Sequence, residues 1–191
     1  MPTDLELLSV NNRSEWRAWL AANYRRAAAA WVVIYKTGPR KTWLTLDDVQ
    51  EEALCFGWVD VKNKRLDDER YALLFCPRRA GSAWSISNIR RIEQLTAAGL
   101  MTEAGMATVT EAHANGQWAI ALQVAQTDII PPELEQSLRQ QRGALLAYRN
   151  LTHSRRRQLL RQLLTAKTAA TRQRRIESIV NEAISAGRSW D

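Results

Sequence analysis

The spacing of apolar positions changes along the chain, and each change marks an element. In RSEWRAWLAANY, residues 13–24, Trp16, Trp19 and Leu20 recur at helical spacing behind Ser14, a natural N-cap. AWVVIYK at 30–36 is a β-branched and aromatic run and predicts a strand. TGPRKTW then reads as a turn, broken at Gly38-Pro39. Thr45 opens a second helix in TLDDVQEEALCFGW. Thr45 and Asp48 have capping-box spacing, acidic residues fill the first turns, and Val49, Ala53 and Phe56 share the apolar face. Gly57 is placed to stop it.

Residues 58–65 and 69–76 read as two more strands joined by a hairpin loop at Leu66-Asp67-Asp68. In the first, Asp60, Lys62 and Lys64 are expected on one face. Pro77 ends the second strand, RRAGS is a loop, and Ser82 or Ser85 caps a helix through residue 98, stopped by Gly99. A further helix covers 102–114, ended by Asn115-Gly116. QWAIALQVAQTDIIPP reads as a connector, with the domain boundary at Pro131-Pro132. Helices follow at 132–141, 143–149, 152–166 and 170–186, the last striped by Ile176, Ile179, Val180, Ala183 and Ile184 before Gly187. The pattern predicts an α+β fold. A small antiparallel sheet of about three strands packs with helices over residues 1–130, and an all-helical subdomain occupies 131–191.

Charge sharpens that division. Residues 1–148 carry 17 Lys+Arg and 17 Asp+Glu, whereas residues 149–191 carry 10 and 3, so the formal net charge of +7 lies in the last quarter. The excess is mostly arginine. Eight Trp in 191 residues imply large core anchors. No run of about 18 apolar residues predicts a membrane span. The opening MPTDLELLSVNNR lacks a basic start followed by an apolar core, which leads us to expect a cytoplasmic protein. Cys55 and Cys76 lie in apolar settings and read as buried free thiols. They have no CxxC spacing, and His113 and His153 are distant from them and from each other, so neither metal nor other cofactor is expected.

Candidate chemistry concentrates in residues 56–88. One reading is a set of exposed cross-strand ion pairs between Asp60, Lys62 and Lys64 on one strand and Glu69 or Arg70 on the other. The other is a concave polar site bounded by Trp58 and Trp84, expected to be buried neighbours. There Arg70, Arg78 and Arg79 would face a small anionic ligand, aided by Asp60, Ser85 and Asn88 and by backbone donors at the helix start from Ser82 to Ser85. Neither histidine lies in this window, so no nucleophile–base pair is visible. Asp60 is the one candidate base and no catalytic residue is assigned.

The second candidate region is the tail. Arg155, Arg156, Arg157 and Arg161 lie on one helix, and Arg172, Arg174 and Arg175 begin the next. Cations at helix N-termini oppose the dipole, which asks for negative charge nearby. The region reads either as a solvated helical face or as a nucleic-acid-binding surface of helix–turn–helix spacing. No aromatic residue lies between Tyr148 and Trp190 to stack on bases.

GWVD at 57–60, LDDERY at 66–71, PRRAGSAWSISN at 77–88 and KTAATRQRRIESIVNEAISAG at 167–187 resemble the YdeI/OmpD-associated, or bacteriocin-protection, family over nearly the whole chain. Val61 stands where that family commonly has glycine after its GW(I/V)D element. The resemblance implies a bacterial protein associated with stress and antimicrobial tolerance, with no reaction, cofactor or catalytic residue to carry over. The leading expectation is a non-enzymatic binding protein. The alternatives are a nucleic-acid binder using the basic helices and an enzyme acting on a small anionic substrate.

Overall fold

The computed structural model describes residues 7–36 and 44–187. Chain compactness divides these into two units, one comprising the residues up to Ser82 with Ser87–Asn115, the other Ala83–Ile86 with everything from Gly116 onward. The expected TGPRKTW turn lies outside the described residues.

The first unit contains β1 (Leu7–Leu8), α1 (Arg13–Asn23), β2 (Ala30–Tyr35), α2 (Leu46–Cys55), β3 (Trp58–Arg65), β4 (Arg70–Pro77), α3 (Ile86–Ala97), of which Ile86 falls in the other unit, and α4 (Glu103–Ala114). The sheet has the order β1-β2-β4-β3. β4 pairs antiparallel with both neighbours, but β1 runs parallel to β2, with Leu7 opposite Trp31 and Leu8 opposite Val32. The sheet is therefore four-stranded and mixed, a correction to the expected three antiparallel strands. Two residues are too few to display the alternation by which a strand is recognised.

Helix caps are set locally. The α1 cap is Asn12, not Ser14. Asn12 is extended, and its Oδ1 accepts the Glu15 backbone N–H at 2.9 Å. α2 carries the expected capping box, with Asp48 N donating to Thr45 Oγ1 at 3.1 Å and Thr45 N to Asp48 Oδ2 at 3.0 Å. The two helices share an aromatic core with the sheet. Trp16 is fully buried, stacks on Trp19 at 5.3 Å, meets Phe75 at 5.6 Å, and donates its indole N–H to Val49 O at 3.1 Å.

α4 starts on the end of α2. The Thr102 hydroxyl donates to Cys55 O at 2.6 Å and the Thr102 backbone N–H donates to the same oxygen at 3.2 Å. Gly105 makes this approach possible, since a Cβ there would overlap the Cys55 carbonyl oxygen and lie 2.8 Å from Leu54 O. The α2 carbonyls left over at its C-terminus thus find donors at the start of α4.

The second unit contains α5 (Gln117–Ala125), α6 (Pro132–Arg139), α7 (Ala144–Asn150), α8 (His153–Leu164) and α9 (Ala169–Gly187). The segment read as a connector is mostly helix. Trp118, Ala121 and Val124 are its buried stripe, and the compact helical unit takes in this helix from Gly116 onward. The other four helices fall where the periodicity places them. Their core joins Leu134 and Leu138 of α6, Tyr148 of α7, Leu160 and Leu163 of α8, and Ile176, Ile179 and Ala183 of α9. Trp84 belongs to this unit. It is 2% exposed, its ring lies 5.3 Å from that of Trp118, and its carbonyl accepts from Arg161 NH2 at 2.9 Å.

Candidate functional site

Within the first unit Trp58, Asp60 and Arg78 lie at one end of the β3–β4 ladder and Arg70 at the other. Trp58 is buried in the first unit against Trp19 at 5.9 Å, edge to face, whereas Trp84 and Ser85 belong to the second unit. Each tryptophan is an anchor of its own unit. Arg70 and Arg78 flank opposite ends of β4; strand rise of about 3.3 Å per residue separates them by roughly 26 Å. Arg70 is held at the hairpin loop by Asp67, Nε to Oδ2 at 2.8 Å. That bond is the main reason the Asp67 carboxyl is held below its usual range.

The expectation that Asp60 shares a face with Lys62 and Lys64 is corrected by a bulge. Asp60 stands opposite Phe75, but Lys62 stands opposite Leu74, the next residue on β4. Adjacent residues of a strand point to opposite faces, so the bulge at Val61 turns Asp60 onto the face of buried Phe75, away from the lysines. Gln50 Nε2 donates to Asp60 at 3.4 Å. Lys64 lies 4.3 Å over the Trp31 ring, a cation–π contact in place of a cross-strand ion pair. Half-buried Arg78 has its guanidinium pushed down to about 10 by burial, against the pull of the Asp60 charge. Its backbone N–H donates to Gly57 O at 2.9 Å. Ser82 turns its hydroxyl back to Arg79 O at 2.6 Å, which leaves Ser85 next to the start of α3, with Asn88 in the first turn. Cys55 is buried, Cys76 only partly, and both are free thiols.

Most tail arginines turn to acceptors inside the second unit. Arg155 grips Glu182 with two hydrogen bonds of 2.6 Å. Arg172 Nε donates to Glu133 at 3.0 Å and its NH1 to Leu163 O at 3.4 Å, while Arg175 donates to Gln162 O and to Thr165 Oγ1 at 3.1 Å. The cations that open α9 therefore sit on the last carbonyls of α8, where the helix dipole favours them. Negative charge was required there, and the fold itself supplies it. Arg161 binds the Trp84 carbonyl. Of the seven, Arg157 and Arg174 are the exposed ones, with Arg174 Nε 3.5 Å from Ala170 O.

Two polar groupings, each centred on a buried charged residue, escape the sequence. In the first unit Glu52, 2% exposed, accepts from Arg13 Nε and Arg17 NH1, both at 2.6 Å. The signal available was an acid on the apolar face of α2 and two arginines four apart on α1. In the second unit Arg156 is 8% exposed. Its NH1 donates to Asp128 at 2.9 Å, and its NH2 lies 3.4 and 3.5 Å from the two ring nitrogens of His153, across the imidazole. His153 Nδ1 is 3.0 Å from Thr127 Oγ1.

Tyr148 lies near this group, fully buried. Burial pushes its phenol up to about 12, with the Arg156 charge pulling the other way. The folded value exceeds the unfolded value of about 10, so the stability linked to the neutral phenol is complete below that pH and drains away as pH rises through the folded value. Tyr148→Phe is expected to flatten the fall in melting temperature between about pH 10 and 12. Parallel curves for variant and parent would refute this.

Among the described residues no three His, Cys, Asp or Glu side chains gather to hold a metal ion, and no helix is long and apolar enough to cross a membrane. Comparison with protein families gives two matches. A model described as Domain of unknown function (DUF8412) matches residues 8–108, and one described as Bacteriocin-protection, YdeI or OmpD-Associated matches residues 129–184. The motifs at 57–60, 66–71 and 77–88 lie in the first match, and most of the motif at 167–187 lies in the second. No curated protein and no solved structure matches the chain.

Proposed function

Because the chain belongs to the DUF8412 family across residues 8–108 and carries a bacteriocin-protection, YdeI or OmpD-associated domain at 129–184, we infer that it is a non-enzymatic binding protein supporting tolerance of bacteriocins or related stress. We place its action in the cytoplasm, where Cys55 and Cys76 would stay reduced. The observation that carries the reading is the position of the second match, which falls inside a helical unit with its own core. The pairing of Arg155, Arg156, Arg172 and Arg175 within that unit supports a protein-binding role over a nucleic-acid one, because guanidinium groups already matched to carboxylates and carbonyls release little on meeting phosphate.

Deletion of the gene in its host is expected to lower survival under bacteriocin challenge, with rescue by the intact chain. Equal survival of deletion and parent strains would overturn the reading. Titration of the purified chain with a short oligonucleotide at low salt is expected to give weak binding at most. Tight, steeply salt-dependent binding that is lost in Arg174→Glu would return the tail to nucleic acid.

A further inference from the structure

The corner between α6 and α7 carries charge that the fold does not consume. Gly143, at φ 78°, turns the chain there and starts α7 directly after α6. Arg139, Arg142 and Arg149 surround an open groove of about 410 Å³ that Leu145 and Leu146 also line. Among the described residues only Glu135 answers these three cations, at 2.7 Å from Arg139 and 3.9 Å from Arg149. Arg142 makes no ion pair among the described residues. Three guanidinium groups against one carboxylate leave a formal local charge of +2, whereas Arg155, Arg156 and Arg172 of α8 and α9 each have a carboxylate partner.

An apolar centre accompanies that charge. Leu146 is 66% exposed, the highest value among the large hydrophobic side chains described. One exposed leucine is ordinary on a protein surface. A leucine beside a groove and ringed by under-neutralised arginines has the composition of a protein interface, where an apolar anchor is enclosed by a polar rim and Arg is favoured.

We propose that this corner binds an acidic, amphipathic segment of a partner protein, seating an apolar side chain on Leu146 and presenting carboxylates to Arg139, Arg142 and Arg149. The proposal rests on the binding-protein reading and states the chemistry of the partner. Guanidinium forks match carboxylates in bidentate geometry. The apolar centre and the absence of an aromatic side chain from the groove lining favour a peptide over nucleic acid, whose bases stack on rings.

The test is fluorescence anisotropy of the full chain with a labelled synthetic helix bearing leucines on one face and glutamates elsewhere. Saturable binding is expected, weakened about tenfold or more by Leu146→Asp and by the double variant Arg142→Glu/Arg149→Glu. All three positions are exposed, and circular dichroism should show both variants folded. A peptide with lysine in place of glutamate is expected not to bind. No saturable binding, equal binding by the variants, or equal binding by a glutamate peptide without leucine would each overturn the proposal. So would displacement by an oligonucleotide at equal concentration. The bacteriocin challenge separates the two readings. Full protection by a Leu146→Asp chain that no longer binds peptide would remove this surface and leave the function. Peptide binding by a chain that gives no protection would remove the function and leave the surface.

Discussion

Trp84→Ala is expected to cost about 3–5 kcal/mol, the range for deleting a buried aromatic side chain. Trp84 is 2% exposed, tilted against Trp118 at 5.3 Å, and its neighbourhood is tied by Arg161 to the carbonyl of the same residue. Residues 83–86 join the helical unit although they precede the rest of it by about thirty positions. The loss should therefore appear in that unit's unfolding. At about 2–4 °C per kcal/mol for a chain of this size, a fall in melting temperature of roughly 6 °C or more follows, with Trp84→Phe recovering much of it. An unchanged melting temperature would show that the ring is not the anchor its burial indicates.

Gly105→Ala should also destabilise, although alanine ordinarily improves a helix by about 0.8–1 kcal/mol over glycine. The added methyl has no room, because it would overlap the carbonyl oxygen of Cys55 and press on that of Leu54. These are backbone atoms of α2, so no rotamer change relieves the contact. α4 has to withdraw, which stretches the 2.6 Å bond from the Thr102 hydroxyl to Cys55 O. Overpacking of this kind costs about 1–3 kcal/mol. With backbone on the receiving side the upper end applies, and the net loss is expected near 2 kcal/mol after the helix-propensity gain. A melting temperature raised by the substitution would contradict it.

What was legible in the sequence was mainly what is decided locally. The Thr45–Asp48 capping box needs only four consecutive residues and falls where it was expected. The α9 stripe of Ile176, Ile179 and Val180 reports its own period and is buried. α5 was hidden because Trp118, Ile120, Leu122 and Val124 put apolar side chains around much of the helix, and without a polar face the segment reads as irregular. The bulge at Val61 was hidden for a different reason. Alternation along β3 alone cannot show where its partner strand skips a residue, and one skip reverses every face assignment beyond it. The arginines were visible, but their partners were not. Glu182 is 27 residues from Arg155, and Glu133 is 39 from Arg172, so only the packed helices reveal that these charges are already matched. Nor does the sequence show that Trp58 and Trp84, both in the motif window, serve the cores of different units.

The bulge bears on how the protein behaves when crowded. β3 is an outer strand of the sheet, next to β4 alone among the described strands, and residues 61–65 are exposed. A long, flat outer strand invites strands of other molecules to add to it, which is a route to aggregation. Here Val61 breaks the register, and Lys62, Lys64 and Arg65 follow at once. A bulge twists the strand away from straight pairing, and lysines on it repel a second copy of themselves. The bulge that separates Asp60 from the lysines thereby also helps keep the sheet from recruiting its own kind.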